Sequence, residues 1–84
     1  MNNRIFGIAN SFLLLLRTGE EVPVTEPVFI LRARDKQALS TIRVYQSTMP
    51  PTSEGWKIIQ AVIEDFTEFK GLNRLRMGEP SEVY

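Results

Sequence analysis

Lys36, Ser40, Arg43 and Ser47 recur at i, i+4, i+7 and i+11, a spacing that on an α-helix aligns two cations and two hydroxyls along one face. Ammonium, guanidinium and hydroxyl groups in such a row suit the oxygens of a phosphate, because charge-assisted hydrogen bonds are the strong ones. Arg32 and Arg34 stand just ahead of the same segment. There the backbone N–H groups of a helix N-terminus add partial positive charge, although Asp35 takes up part of that field. The candidate ligand-binding set is therefore Arg32, Arg34, Lys36, Ser40 and Arg43, and its chemistry is anion binding. A solvated helix face with two basic residues accounts for the same pattern, since no glycine-rich loop accompanies it.

Other chemistry is sparsely provided. The 84 residues include no histidine and no cysteine. That removes the commonest general base, the commonest transition-metal ligand and the thiolate nucleophile. Glu64 and Glu68 lie four apart with Asp65 beside them, a spacing that suits Mg²⁺ or acid/base work. With Lys57 and Gln60 they equally make the solvated side of an amphipathic helix, which is the reading adopted. No serine sits in a G-x-S-x-G elbow. The chain is expected to be no enzyme and to need no metal or cofactor.

Ten Lys and Arg balance ten Asp and Glu, so the broad positive field of a phosphate-tracking nucleic-acid binder is absent. Residues 5–16 are apolar and follow Arg4, but Asn10 and Ser11 interrupt them and no small-residue cleavage site follows. The run also falls short of the roughly 20 apolar residues that span a bilayer. A soluble cytoplasmic protein is the expectation. One small domain is expected, and without cysteine the staples open to so short a chain reduce to apolar packing and oligomerisation.

The elements that would position these groups follow from periodicity. In residues 1–19, Asn3, Asn10 and Arg17 share one helical face and Ile5, Ile8, Ala9, Phe12, Leu13 and Leu16 the other, which predicts an N-terminal helix stopped by Gly19. Four consecutive leucines would also suit a buried strand. Residues 20–27, with two prolines, form a connector, and 28–33 are β-branched and apolar enough to run extended. That run must pair with the N-terminal segment, pair with its copy in a neighbouring subunit, or cross the helices unpaired.

Asp35 is read as the N-cap of a helix over 35–49, with Ala38, Leu39, Ile42, Tyr45 and Met49 as its apolar stripe and Pro50 and Pro51 as its stop. Thr52 or Ser53 caps a final helix over 52–70, followed by Gly71 at the left-handed C-terminal position. The two should form an αα-hairpin. Trp56, Ile58, Ile59, Val62, Ile63, Phe66 and Phe69 cover an arc wider than the roughly 100° needed to face one partner, which predicts burial on two sides and hence an oligomer. Residues 75–84 read as a tail. The fold class is mainly α: N-terminal helix, short extended element, helical hairpin.

The run E26-P-V-F-I-L-R-A-R-D-K-Q-A38, continued by T41-I-R-V-Y45, resembles a pattern found in small proteins encoded by bacteriophages, in which EPVF, LRA and a following acidic residue introduce a helix. The resemblance spans residues 26–45 and implies a phage accessory protein acting in the host cytoplasm by binding. Some phage proteins of this size are oligomers that sequester the cyclic nucleotide signals of bacterial immunity. By that analogy the chain is expected to be a homo-oligomer that holds a small phosphorylated ligand, with Tyr45 and Trp56 serving the core before any base. The alternative is a protein-interaction module inhibiting a host protein through the apolar face of the last helix. An enzyme ranks third. DNA binding ranks fourth, because Ile58, Ile59, Val62 and Phe66 make the second hairpin helix too apolar for a groove.

Overall fold

The computed structural model describes residues 6–9, 12–15 and 19–84, with side chains from Gly19 onward. The chain divides into two units, Met1–Ile30 and Leu31–Tyr84. In the first, β1 (Phe6–Ala9) and β2 (Phe12–Leu15) pair antiparallel with Phe6 opposite Leu15 and Ala9 opposite Phe12. This corrects the helix expected over 1–19 at those two segments; residues 1–5, 10–11 and 16–18 of that expected helix lie outside the described residues. The apolar run reads equally in either period, and aromatic and branched side chains on both sides of Asn10 and Ser11 suit a pleated ladder. Gly19 has φ 73°, the left-handed region in which a Cβ is strained.

No strand forms over 28–33. Val28, Phe29 and Ile30 are exposed, and a single parallel bridge, between Asp35 and Gly78, forms further on with a segment that the sequence reading had not paired.

The second unit is helical. α1 (Ala38–Ser47) and α2 (Glu54–Leu72) pack as the expected hairpin. α1 starts three residues later than Asp35, with Gln37 at its N-cap position. Asp35 instead makes a turn: its carbonyl accepts from the Ala38 N–H, and its Oδ1 accepts from the Gln37 N–H at 2.8 Å. Pro50 and Pro51 stand between the helices, and Ser53 caps α2 as expected. Its hydroxyl accepts from the Trp56 N–H and donates to the Pro50 carbonyl. Ser53→Ala is expected to lower stability by about 1 kcal/mol, measured as a shift of the urea midpoint without a change in slope. The helix runs on to Leu72, past Gly71, and Asn73 Nδ2 closes its end on the Phe69 carbonyl at 3.0 Å.

The core is small. Among the described residues, Ala38 and Ile42 of α1, Ile63 of α2 and Val83 are the buried apolar ones. Of the seven apolar residues in the α2 arc only Ile63 is buried, and the other six stay half-buried. Two details depart from the periodic reading. Tyr45, placed on the α1 stripe, is exposed, and Gln46 is buried in its stead. Gln60, placed on the solvated side, meets it: Gln46 Nε2 donates to Gln60 Oε1 at 2.9 Å and to the Trp56 carbonyl at 3.2 Å. An amide with partners for its donors can sit between helices, whereas a burial without them costs about 1–3 kcal/mol.

Residues 75–84 are no tail. After a 3₁₀ turn (Arg74–Arg76) the chain pairs Gly78 with Asp35 and ends in α3 (Pro80–Val83). Pro80 presets the first helical φ, while Glu79 and Glu82 cap each other's backbone in a capping box. The short helix brings Val83 into the core.

Candidate functional site

Three segments of the second unit meet where the chain enters α1. The Lys36 N–H donates to the Gly78 carbonyl at 3.0 Å, and the Gly78 N–H to the Arg34 carbonyl at 2.9 Å. Tyr84 locks the far end. Its hydroxyl donates to Asp35 Oδ2 at 3.0 Å and accepts from the Arg32 N–H at 2.9 Å. Asp35, 3% exposed, thus holds the start of α1 with one oxygen and the C-terminal segment with the other.

These bonds alter the anion site expected from sequence. The N–H groups of Arg32 and of residues 35–38, which would have faced a ligand, all have acceptors inside the protein. The side chains are similarly engaged: Arg32 Nη1 donates to the Val83 carbonyl at 2.8 Å and Arg34 Nε to the Arg76 carbonyl at 3.0 Å. Ser40 and Arg43 do lie on the exposed face of α1, as their spacing implies. The Ser40 hydroxyl donates back to the Gln37 carbonyl.

Lys36 goes elsewhere. Together with Thr67, Lys70, Gly71, Arg74 and Met77 it lines an open cavity of about 550 Å³. Arg32, Arg34, Ser40 and Arg43 are not among its lining residues. Lys70 lies in the last turn of α2 and Arg74 just beyond it, so both cations cluster at the helix end. There they also complement the partial negative charge of the unsatisfied carbonyls. Lys36 reaches the cavity from another part of the chain, placed by the bridge to Gly78. Its Nζ stands 3.7 Å from Glu79 Oε1, and both side chains are about half exposed. Arg76 turns away to lie 5.8 Å above the Phe69 ring.

The groove offers three cationic side chains and the apolar surface of Met77, while the Thr67 hydroxyl in its wall donates back to the Ile63 carbonyl at 2.7 Å. Arginine can grip a phosphate with two parallel hydrogen bonds and lysine as a point charge. The lining holds no carboxylate and no aromatic ring. Glu64 and Glu68 are exposed on α2, Glu64 accepting from Gln60 Nε2 at 3.3 Å. Among the described residues no group of three or more acidic side chains is placed to hold a metal ion, and no helix is long and apolar enough to cross a membrane.

Sequence reasoning missed Lys70, Arg74 and Thr67. The available signal was K70-G-L-N-R74-L-R76, a basic cluster at the end of a predicted helix. The architecture so far is a helical hairpin closed by a C-terminal clasp, with a basic groove at the clasped end. Comparison with protein-family models, curated proteins and solved structures finds no match for this chain.

Proposed function

We propose that this chain binds a small phosphorylated ligand in the groove of Lys36, Lys70 and Arg74 and acts by sequestering it without chemical change. The observation behind the reading is the convergence of three cations from two separate segments on one open cavity. A chain with no histidine or cysteine suits retention better than turnover. The cavity is of a size that takes a small molecule. Half-buried Trp56, Ile58, Ile59, Val62, Phe66 and Phe69 favour a homo-oligomer, in which a neighbour completes their burial. The resemblance of residues 26–45 to phage proteins makes the cyclic nucleotides of bacterial immune signalling the first ligands to try.

The test is native mass spectrometry and calorimetry with cyclic mono-, di- and trinucleotides, on the wild type, Lys70→Ala/Arg74→Ala and Arg43→Ala. The double variant should weaken binding at least about 100-fold, since each lost charge-assisted hydrogen bond is worth about 1.5–3 kcal/mol. Arg43→Ala should leave it within a factor of two. The reverse ranking would move the ligand to the outer face of α1 and overturn the groove. A second reading, a protein-interaction module, draws on Leu72 and Leu75, which are 76% and 102% exposed at the end of α2. It would be favoured if the oligomer ignored every phosphorylated compound while Leu72→Ser/Leu75→Ser abolished host-protein binding.

A further inference from the structure

The end of α2 presents a surface that the groove does not use. Residues 69–77, F-K-G-L-N-R-L-R-M, hold three cations, four apolar side chains and no carboxylate, in a chain of zero net charge. Lys70, Arg74 and Arg76 form no ion pair with a described residue; Arg76 Nη1 donates to Asn73 Oδ1 at 3.3 Å and its guanidinium lies over the Phe69 ring. Leu72 ends α2 and is 76% exposed. Leu75, in the middle of the 3₁₀ turn, is 102% exposed, the most of any large apolar side chain among the described residues. One exposed leucine is ordinary on a protein surface, but two within four residues, interleaved with unpaired cations, make an amphipathic edge.

We propose that this edge docks on an anionic phospholipid surface, with Leu72 and Leu75 entering the boundary between headgroups and acyl chains and Lys70, Arg74 and Arg76 meeting the lipid phosphates. The inference goes beyond the proposed function, since both leucines and Arg76 lie outside the cavity lining. The uncompensated positive charge selects a negative partner. The projecting leucines select lipid over protein: a fluid layer accepts them without a matching pocket, whereas the hot spots of protein interfaces favour Trp, Tyr and Arg over Leu. Two leucines and three cations make a weak, reversible contact rather than a permanent anchor.

Co-sedimentation of the full chain with vesicles of phosphatidylcholine, alone or mixed with phosphatidylglycerol, tests the docking. The wild type should bind the mixed vesicles, ignore the neutral ones and be released by high salt. Lys70→Ala/Arg74→Ala should weaken binding about 30-fold, near fivefold for each cation at the surface. Leu72→Ser/Leu75→Ser should weaken it at least about tenfold through the lost apolar burial. All four side chains are exposed, so circular dichroism should show the fold kept in both variants. Binding that ignores the leucine substitutions would reveal bare charge adhesion and overturn the inference, as would equal binding to neutral vesicles or binding to neither. Leucine-dependent self-association without vesicle binding would give the edge to a second copy and overturn it too. The groove is judged separately, by calorimetry with cyclic nucleotides: failure there leaves the vesicle result standing, and failure with vesicles leaves the groove standing.

Discussion

Alanine at position 63 is expected to cost about 3 kcal/mol, in the range for truncating a buried isoleucine, and to lower the melting temperature by about 10–25 °C. Ile63 is 5% exposed and is the single buried side chain of α2. The buried apolar partners available in the second unit are Ala38, Ile42 and Val83. Alanine cannot shift to fill the space, and helices joined by a six-residue turn that contains two prolines cannot close on it easily. Most of the lost stability should therefore appear in full. Thermal and urea unfolding followed by circular dichroism, with Val62→Ala as a half-buried control, would check it. If Val62→Ala costs as much as Ile63→Ala, the second side of α2 is buried in solution, and size-exclusion chromatography should then show an oligomer whose melting temperature rises with concentration.

Asp35→Ala is expected to have the second largest effect, about 2 kcal/mol, and a local signature. The carboxylate is buried and accepts from the Gln37 N–H and the Tyr84 hydroxyl. Hydrogen bonds to a charged acceptor are worth about 1.5–3 kcal/mol each, but Tyr84 is 55% exposed and recovers part of its loss from water. Hydrogen exchange resolves the mechanism. The Lys36 and Gly78 amides, which bond across the clasp, should lose protection well before the amides of α2. Asp35→Asn retains one acceptor oxygen and should cost about half as much. Uniform loss of protection throughout the hairpin would instead make the clasp part of the global unfolding unit. Because the clasp places Lys36 at the groove, Asp35→Ala should also weaken any ligand that uses Lys36 while sparing the contacts of Lys70 and Arg74.

The helical hairpin was legible because its signals are local. A proline pair ends one helix, Ser53 caps the next, and a 3.6-residue apolar period runs through both. These depend on neighbours within a turn or two of chain. The burial of Gln46 was not legible: an amide is polar by type, and only the arrival of Gln60 and the Trp56 carbonyl from the other helix makes its burial affordable. The N-terminal segment failed for another reason. Short apolar runs satisfy both helical and strand periods, so pairing between Phe6–Ala9 and Phe12–Leu15 decides the outcome.

The same division applies to the candidate site. Residue types alone determined that the chain carries ten basic and ten acidic side chains and neither an imidazole nor a thiol, because chemistry resides in the side chains whatever their positions. They determined the hairpin too, through caps, prolines and period. Tertiary structure decided which cations face a common cavity. Arg32 and Arg34, adjacent to Lys36 in sequence, are turned to the Val83 and Arg76 carbonyls, while Lys70 and Arg74, over thirty residues away, share its groove. The physical reason is that backbone carbonyls and N–H groups must find partners wherever the chain folds back on itself. The return of residues 76–84 onto 32–36 met that demand with some of the basic side chains and left the others to face the cavity.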